Sequence, residues 1–226
     1  MAKDPKSRQR DLLSRHRDLL LVEEALWLHG VVVAGIDEVG TGPLAGPVVA
    51  ACVVLDPGSC GDLVGVDDSK KLTEVQREVL AEKIRTRSIA FSVGRASVDE
   101  IDRLNIRQAA LLAMERAYAK VASEIVVNHL LVDARRLPGV DLPQSEIIGG
   151  DRLCLSIAAA SIIAKVERDR EMEGLATVFP GYGLEKHKGY GTRAHLDALR
   201  ALGPSEIHRK SFAPVRAVSC ETSDPG

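Results

Sequence analysis

The chain has 226 residues, of which 45% are hydrophobic and 27% charged, and its formal net charge is −2. This length supports one domain with a full core and a small helical addition, while a charge near zero argues against a generally basic, histone-like binder. No apolar stretch reaches the ~20 residues that span a bilayer, and residues 1–5 lack a signal-peptide core, so we expect a cytoplasmic protein without membrane contact.

Hydrophobic periodicity predicts a series of helices and strands. Leucines alternate with charges over 11–28, capping boxes at Thr73 and Ser97 begin two more helices, and small apolar residues over 155–165 predict a helix close to a sheet. The helix from Ser97 is expected to run unbroken to Tyr118. The predicted strands are 31–38, 47–55, 89–94, 124–133 and 146–148. This order of elements predicts an α/β layer with a mixed sheet.

The ends of the chain are polar and basic. Residues 1 to about 12, and those from about 217 onward, are expected to be mobile. The first twenty residues carry six cations against three acids, and 184–216 carries seven against three. Basic ends on an acidic middle suit a polyanion held over a metal site, whereas a solvated helix face explains either cluster alone equally well.

Carboxylates follow the predicted strands. Asp37 and Glu38 end a β-branched run, Asp133 ends a later strand, and Asp151 precedes the small-residue helix. Acids buried together cost stability unless a cation lies between them, although a lone acidic pair also begins ordinary turns. Oxygen ligands favour Mg²⁺ or Mn²⁺ over zinc, and two such ions can promote in-line phosphodiester displacement.

Other site types are less well supported. Residues 40–45 formally match the glycine turn of a dinucleotide-binding fold, but a second β-rich run follows at 47–55 where that fold needs a helix. The histidines show no ligand spacing, and we expect them to be surface or cap residues, with one packing in mid-strand. They are His16, His29, His129, His187, His195 and His208.

Several ordered sequence blocks are shared with one enzyme family. They are GIDE at 35–38, GPLAGPVVA at 42–50, DSKKL at 68–72, LNI at 104–106, GGD at 149–151, SIAAASIIAKV at 156–166 with RD at 168–169, PGYG at 180–183, HKGYGT at 187–192 and HRKSF at 208–212. On these blocks the sequence, over about 32–216, resembles the bacterial ribonuclease HII enzymes.

The resemblance implies a ribonuclease H-like fold, with a mixed five-stranded sheet flanked by helices and a C-terminal helical extension. It implies an endonuclease for the RNA strand of RNA/DNA hybrids and for ribonucleotides embedded in DNA, acting as a monomer. The implied divisions are a basic helical segment at 1–28, a catalytic domain at 29–172, a helical substrate-binding extension at 173–216 and a disordered tail at 217–226.

The resemblance also assigns roles to single residues. Two Mg²⁺ or Mn²⁺ ions are implied, and the catalytic and metal-binding acids fall on Asp37, Glu38, Asp133 and Asp151. The turn that reads the ribose 2′-hydroxyl, the group that distinguishes RNA from DNA, falls on Gly40, Thr41 and Gly42. The tyrosine beside that ribose falls on Tyr190.

Four basic residues in the matching blocks each have more than one possible role. Lys70 and Lys71 match a loop that touches substrate phosphates in the family, but lysines in a polar loop are often merely solvated. Lys165 and Arg168 lie on the helix after Asp151, and either could orient acids or phosphates.

One position departs from the family pattern. The ribonuclease HII turn is Ala-Gly-Arg-Gly, whereas Val39-Gly40-Thr41-Gly42 has the form of the related ribonuclease HIII enzymes. Thr41 cannot make the bidentate phosphate contact of an arginine. A preference for runs of ribonucleotides, as in ribonuclease HIII, therefore stays open, and so does a non-catalytic module that only binds hybrids.

Overall fold

The computed structural model describes residues 4–221, which form a mixed sheet with helices on both faces. The strands are β1 (Val33–Val39), β2 (Val48–Leu55), β3 (Ser88–Ala96), β4 (His129–Asp133) and β5 (Gln144–Ile147). The helices are α1 (Pro5–Trp27), α2 (Glu74–Arg87), α3 (Val98–Leu104), α4 (Ile106–Glu124), α5 (Leu155–Val178), α6 (Leu184–His187), α7 (Arg193–Leu202) and α8 (Ala213–Glu221). This architecture confirms the predicted fold class.

Strand β1 lies at the centre of the sheet, whose order is β3-β2-β1-β4-β5. It pairs antiparallel with β2 on one side and parallel with β4 on the other, and β4 pairs parallel with β5. Because parallel strands end at the same edge of a sheet, the carboxyl ends of β1, β4 and β5 meet there. The loops and side chains beyond these three strand ends therefore share one side of the molecule.

Glycines let one helix approach each face of the sheet closely. A Cβ atom at Gly35 of β1 would lie 2.3 Å from the backbone carbonyl carbon of Ser156 in α5. On the other face, a Cβ atom at Gly94 of β3 would lie 2.0 Å from the carbonyl oxygen of Ala113 in α4. The small residues of α5 thus place that helix directly against the sheet, as its sequence predicts.

The predicted long helix from Ser97 is wrong, because the chain forms two helices there. Ser97 caps α3 with the predicted capping box, but α3 ends at Leu104. Asn105 has a positive φ of 73°, which asparagine tolerates better than most residues, and its side chain accepts hydrogen bonds from the backbone N–H groups of Arg107 and Gln108. Asn105 therefore ends one helix and caps the next.

Both polar ends contain helix where the structure describes them. Helix α1 already begins at Pro5, and α8 continues through 217–221, with Val215 and Val218 buried. These valines pack with Leu184, Leu199 and Ile207 in a separate C-terminal core. Residues 1–3 and 222–226 of the predicted mobile ends lie outside the described residues. Helix α5 also runs through the proposed division between 172 and 173.

Among the helices of residues 4–221, none combines the length and apolar character that crossing a lipid bilayer requires.

Candidate active site

The four predicted acids line one cavity of about 180 Å³. It lies at the edge of the sheet where the parallel strands β1, β4 and β5 end. Ile36 of β1 pairs with Val132 of β4, so the residues that follow them, Asp37 and Asp133, end neighbouring strands. Glu38 is the next residue of β1. Asp151 comes from the 3₁₀ turn Gly150–Arg152, between β5 and α5, and it is buried. The fold thus brings together four carboxylates that are up to 114 positions apart in the sequence.

The carboxylates make each other harder to ionise. Burial raises the pKa of Asp37 well above its ordinary value, with a further contribution from the neighbouring charge of Glu38, while a hydrogen bond from Ser161 acts in the opposite direction. Burial also raises the pKa of Glu38, to about 7, and raises the pKa of Asp151. Clustered buried acids with raised pKa values favour the binding of a cation.

The oxygen atoms of the cavity fit a divalent cation chemically. Glu38 Oε2 is buried and has no hydrogen-bond partner among the described residues. Asp37 Oδ1 accepts a hydrogen bond from the N–H of Glu38 at 2.8 Å, and Asp133 Oδ1 accepts one from the N–H of Gly150 at 2.7 Å. Carboxylate oxygens without nitrogen or sulfur donors suit Mg²⁺ or Mn²⁺.

The four acids are not arranged around a single metal position. Within residues 4–221, no three Asp, Glu, His or Cys side chains are arranged to hold a metal ion as they stand. Instead, cationic side chains lie close to two of the acids. Lys70 Nζ lies 3.7 Å from Asp151 Oδ2, and Arg135 Nη2 lies 3.4 Å from Glu38 Oε1.

The two predicted lysines have different positions. Lys70 lines the acid cavity, and its side chain is 83% exposed, so it can reach a bound molecule. Lys71 does not line the cavity, because its Nζ pairs with Asp67 Oδ1 at 3.2 Å. Asp68 caps the short turn Ser69–Lys71, which carries both lysines, by accepting a hydrogen bond from the N–H of Lys70.

The glycine turn lies at the rim of the same cavity. Gly40 and Thr41 line the cavity, and a Cβ atom at Gly42 would lie 3.8 Å from the ring of Tyr190, which also lines it. Gly40 has a φ of 93°, and a Cβ atom there would lie 2.3 Å from Arg168 Nε. The turn thus needs glycine at residue 40 both for its backbone conformation and for the space that Arg168 fills.

Two buried arginines hold this turn from inside. Arg168 donates to the carbonyl oxygens of Pro47, Ala45 and Lys188. Arg209 donates to those of Gly40 and Gly46. The two arginines therefore fix the backbone of the glycine turn and of the segments that pack against it.

Outcomes for the remaining basic candidates follow from these contacts. Arg168 bonds backbone carbonyl oxygens and none of the four acids among the described residues, which argues against a role in orienting the acids, while a role in orienting phosphates stays open. Lys165 pairs with Asp169 at 2.6 Å, on its own helix. Arg209 was not predicted as a site residue, since nothing local in the sequence shows that its partners lie 163 residues away.

A serine pair beneath the acids was also missed. Ser69 and Ser161 lie 2.9 Å apart, Oγ to Oγ, and both line the acid cavity. The hydrogen bond from Ser161 to Asp37 ties the small-residue helix α5 to the first acid. Serine within an apolar helical run is the only local signal for this role.

The expectation of a surface or cap position is wrong for His16, His195 and His208, which are buried. His195 and His208 are completely buried, and the ring of His187 stacks on that of His195 with centroids 4.4 Å apart. His195 Nδ1 lies 3.0 Å from the carbonyl oxygen of Tyr190. The histidines therefore support the segment that carries Tyr190. His129 is partly buried in β4, where its ring bonds the Ser145 hydroxyl.

Comparison with known proteins gives consistent matches. The family model described as ribonuclease HII matches residues 34–215. A ribonuclease HII from Myxococcus xanthus (strain DK1622) is 53% identical over 214 residues, covering 93% of this chain and 72% of that protein.

Solved structures give the same fold. Ribonuclease H2 from Pyrococcus horikoshii OT3 has a TM-score of 0.68 at 26% identity, covering 85% of this chain and 99% of the other. The ribonuclease HII in a PCNA complex from Archaeoglobus fulgidus has a TM-score of 0.65 at 30% identity, covering 80% and 95%. Bst-RNase HIII, solved with Mn²⁺, has a TM-score of 0.66 at 22% identity, covering 84% and 70%, and shows the fold alone.

These neighbours place the fold in the ribonuclease H class of nucleases. Because the family model spans most of the chain and the Myxococcus enzyme is similar over nearly all of it, the chain belongs to the ribonuclease HII family. Membership makes it a ribonuclease H hydrolase with endonuclease activity on RNA strands, and it confirms the resemblance drawn from the sequence blocks.

Proposed function

We propose that the chain cuts the RNA strand of RNA/DNA hybrids in a reaction that depends on Mg²⁺ or Mn²⁺, with Asp37, Glu38, Asp133 and Asp151 holding two ions. The observation that carries this proposal is the meeting of these four acids in one cavity, with the unpartnered oxygen of Glu38 inside it. Such ions supply an activated water and stabilise the leaving oxygen of a phosphodiester, so no nucleophilic side chain is needed.

The residues around the acids bind and orient the substrate in this proposal. The backbone of Gly40, Thr41 and Gly42 contacts the ribose 2′-hydroxyl, and the ring of Tyr190 packs beside the same sugar. The contact between Gly42 and Tyr190 supports this, because one nucleotide can touch both. Lys70, exposed at the rim, balances the charge of a phosphate that approaches the acids. Lys71, in the same loop as Lys70, also contacts substrate phosphates in this proposal.

Two broader expectations remain part of the proposal. The extension over 173–216 contacts substrate, which is supported by its excess of cations and by Arg209 reaching back to the glycine turn. The protein acts as a monomer in the cytoplasm. Sedimentation of the free protein and of its complex with a hybrid duplex tests the oligomeric state.

Substitution of Asp37 by Asn tests the acid site. We expect the variant to bind a hybrid duplex with near-native affinity and to lose cutting by at least about a thousandfold, as when a central electrostatic group is removed. The products of the native enzyme should carry a 3′-hydroxyl and a 5′-phosphate. Near-full turnover of the variant in Mg²⁺ would falsify the assignment, and native protein that binds without cutting would favour the non-catalytic module.

Because Thr41 stands where the ribonuclease HII turn has an arginine, the range of substrates needs its own test. A duplex with one embedded ribonucleotide and one with four, assayed side by side, distinguish a ribonuclease HII range from a ribonuclease HIII-like preference. We propose that both are cut, since the cavity beside Thr41 carries other cationic side chains. Cutting of the four-ribonucleotide duplex alone would instead assign the ribonuclease HIII-like range to this chain.

A further inference from the structure

A second cavity adjoins the glycine turn at Thr41. Its volume is about 310 Å³, and its lining includes Thr41, Ile106, Arg107, Ala134 and Arg135. Thr41 lines both this cavity and the acid cavity, so a nucleic-acid strand lying over the turn would pass from one to the other. The second cavity differs from the first in charge, because its ionisable lining residues are arginines.

Arg135 has hydrogen-bonding capacity to spare. A guanidinium carries five N–H donors, and the ion pair of Arg135 is a single 3.4 Å contact from Nη2 to Glu38 Oε1. Its Nη1 atom is buried and has no hydrogen-bond partner among the described residues. A buried donor without an acceptor is costly, and two adjacent donors of a guanidinium match two oxygens of a phosphate.

The backbone before Arg135 is held in an unusual conformation. Ala134 follows β4 directly and has a φ of 55°, a region that residues with a Cβ atom rarely adopt. The N–H of Ala134 donates to the carbonyl oxygen of Ile147, which anchors this bend to β5. Strained backbone residues cluster at active sites and ligand-binding sites, and the residue that follows this one is Arg135.

Arg107 offers a second cation in the lining of the same cavity. It is exposed in the first turn of α4, and its guanidinium makes no ion pair within residues 4–221. The backbone N–H groups of Arg107 and Gln108 are already bonded to Asn105, so the helix end leaves few free donors. The attraction for an anion therefore comes from the two arginine side chains.

We propose that Arg135, together with Arg107, binds a backbone phosphate of the substrate beside the ribonucleotide at the glycine turn. The inference rests on the proposed function, which brings the nucleic acid to this turn. Thr41 carries no charge, so the positive charge beside this phosphate comes from Arg135 and Arg107.

The test removes each charge and follows binding separately from chemistry. Arg135→Gln and Arg107→Gln are compared with Arg136→Gln, whose exposed side chain is not among the lining residues. In an Asp37→Asn background, affinity for a DNA duplex with one ribonucleotide is measured over a range of salt concentrations. We expect Arg135→Gln to weaken binding about tenfold and to reduce the salt slope by about 0.9, the value for one phosphate contact.

Restoring the charge from a neighbouring position completes the test. Adding Thr41→Arg to Arg135→Gln places a guanidinium on the same cavity, and we expect it to recover the affinity and the salt slope. If Arg135→Gln and Arg136→Gln behave alike, the inference is wrong. If Arg135→Gln made in the otherwise native enzyme lowers kcat, while the salt slope measured in the Asp37→Asn background is unchanged, Arg135 acts through Glu38 and binds no phosphate. Failure of the proposed function is recognised separately, as absence of cutting by the native chain.

Discussion

His195 and His208 lie side by side in the C-terminal core, with their Nε2 atoms 3.2 Å apart and no exposed surface. His195 Nδ1 faces the carbonyl oxygen of Tyr190, and His208 Nδ1 accepts a hydrogen bond from the N–H of Ser205. One proton arrangement satisfies all of these contacts. His208 donates from Nε2 to His195, and His195 donates from Nδ1 to Tyr190, so both rings are neutral.

This neutral pair predicts a loss of stability in mild acid. Burial, with a further contribution from His195, lowers the pKa of His208 to about 4. A histidine with a lowered folded-state pKa contributes stability that is complete above the unfolded value of about 6.5 and is lost as the pH falls toward 4. Between pH 7 and pH 5 we expect this residue to remove roughly 2 kcal/mol of unfolding free energy. Urea denaturation at the two pH values measures it.

The matched variant is His208→Gln, which keeps an N–H donor of similar reach without titrating in this range. It should lose about 2 kcal/mol less than the native protein between pH 7 and pH 5. The groups that face the pair are His187, Tyr182 and the backbone of Tyr190. Equal pH dependence in the two proteins would assign the effect to other groups.

Local sequence patterns predict those parts of the site that depend on local structure. Asp37 and Asp133 each end an apolar β-branched run, and two such runs become neighbours in a mixed sheet, so their meeting follows from strand ends alone. The break at Asn105 was predictable too, since asparagine is a good helix cap, but helical periodicity on both sides concealed it.

The supports of the site could not be predicted in this way. Arg168 and Arg209 bond backbone carbonyls more than 100 residues away, and a carbonyl leaves no mark in the sequence. The pairing of His195 with His208 requires the loop between them to fold back. The position of Arg135 depends on a positive φ at an alanine, a residue that does not predict one.

Ala134→Gly should stabilise the protein. Glycine adopts a φ of 55° without the clash that a Cβ atom makes, and the gain should be about 1 kcal/mol. The control is Ala122→Gly, an exposed position inside α4, where glycine should instead cost about 1 kcal/mol. Chemical denaturation of both variants measures the two changes, and destabilisation by Ala134→Gly would show that the bend is unstrained.

Divalent cations should stabilise the native protein through the acid cavity. A ligand at 100 times its dissociation constant adds about 2.7 kcal/mol to the unfolding free energy. In buffer without divalent cations, Asp37→Asn should be more stable than the native protein, because the substitution removes a buried charge that lies against Glu38. In Mg²⁺ or Mn²⁺ the order should reverse, and melting curves at several metal concentrations measure this.

The control for metal binding is Asp62→Asn, which removes an exposed acid that pairs with Arg87 away from the cavity. Its melting temperature should rise with Mg²⁺ as much as that of the native protein. If the response of Asp37→Asn to Mg²⁺ also matches that of the native protein, the cation stabilises some other part of the molecule.

Gly40→Ala should disable the glycine turn through two separable effects. A φ of 93° strains any residue with a Cβ atom, and that atom would also meet Arg168 Nε at 2.3 Å. Gly30→Ala isolates the first effect, because Gly30 has a φ of 70° but nothing within 4 Å of a Cβ atom. We expect Gly30→Ala to cost about 1 kcal/mol and to retain activity. Gly40→Ala should cost about 3 kcal/mol or more, since displaced packing adds to the strain.

Activity separates the two variants further. The side chain of Arg168 also donates to Pro47 and Lys188, so displacing it moves the turn and the segment before Tyr190 together. Gly40→Ala should therefore raise KM for a hybrid duplex more than stability alone explains, even at temperatures where the variant is fully folded. Assays at 15 °C with folding checked by circular dichroism measure this, and equal KM values for the two glycine variants would mean that Arg168 does not control the turn.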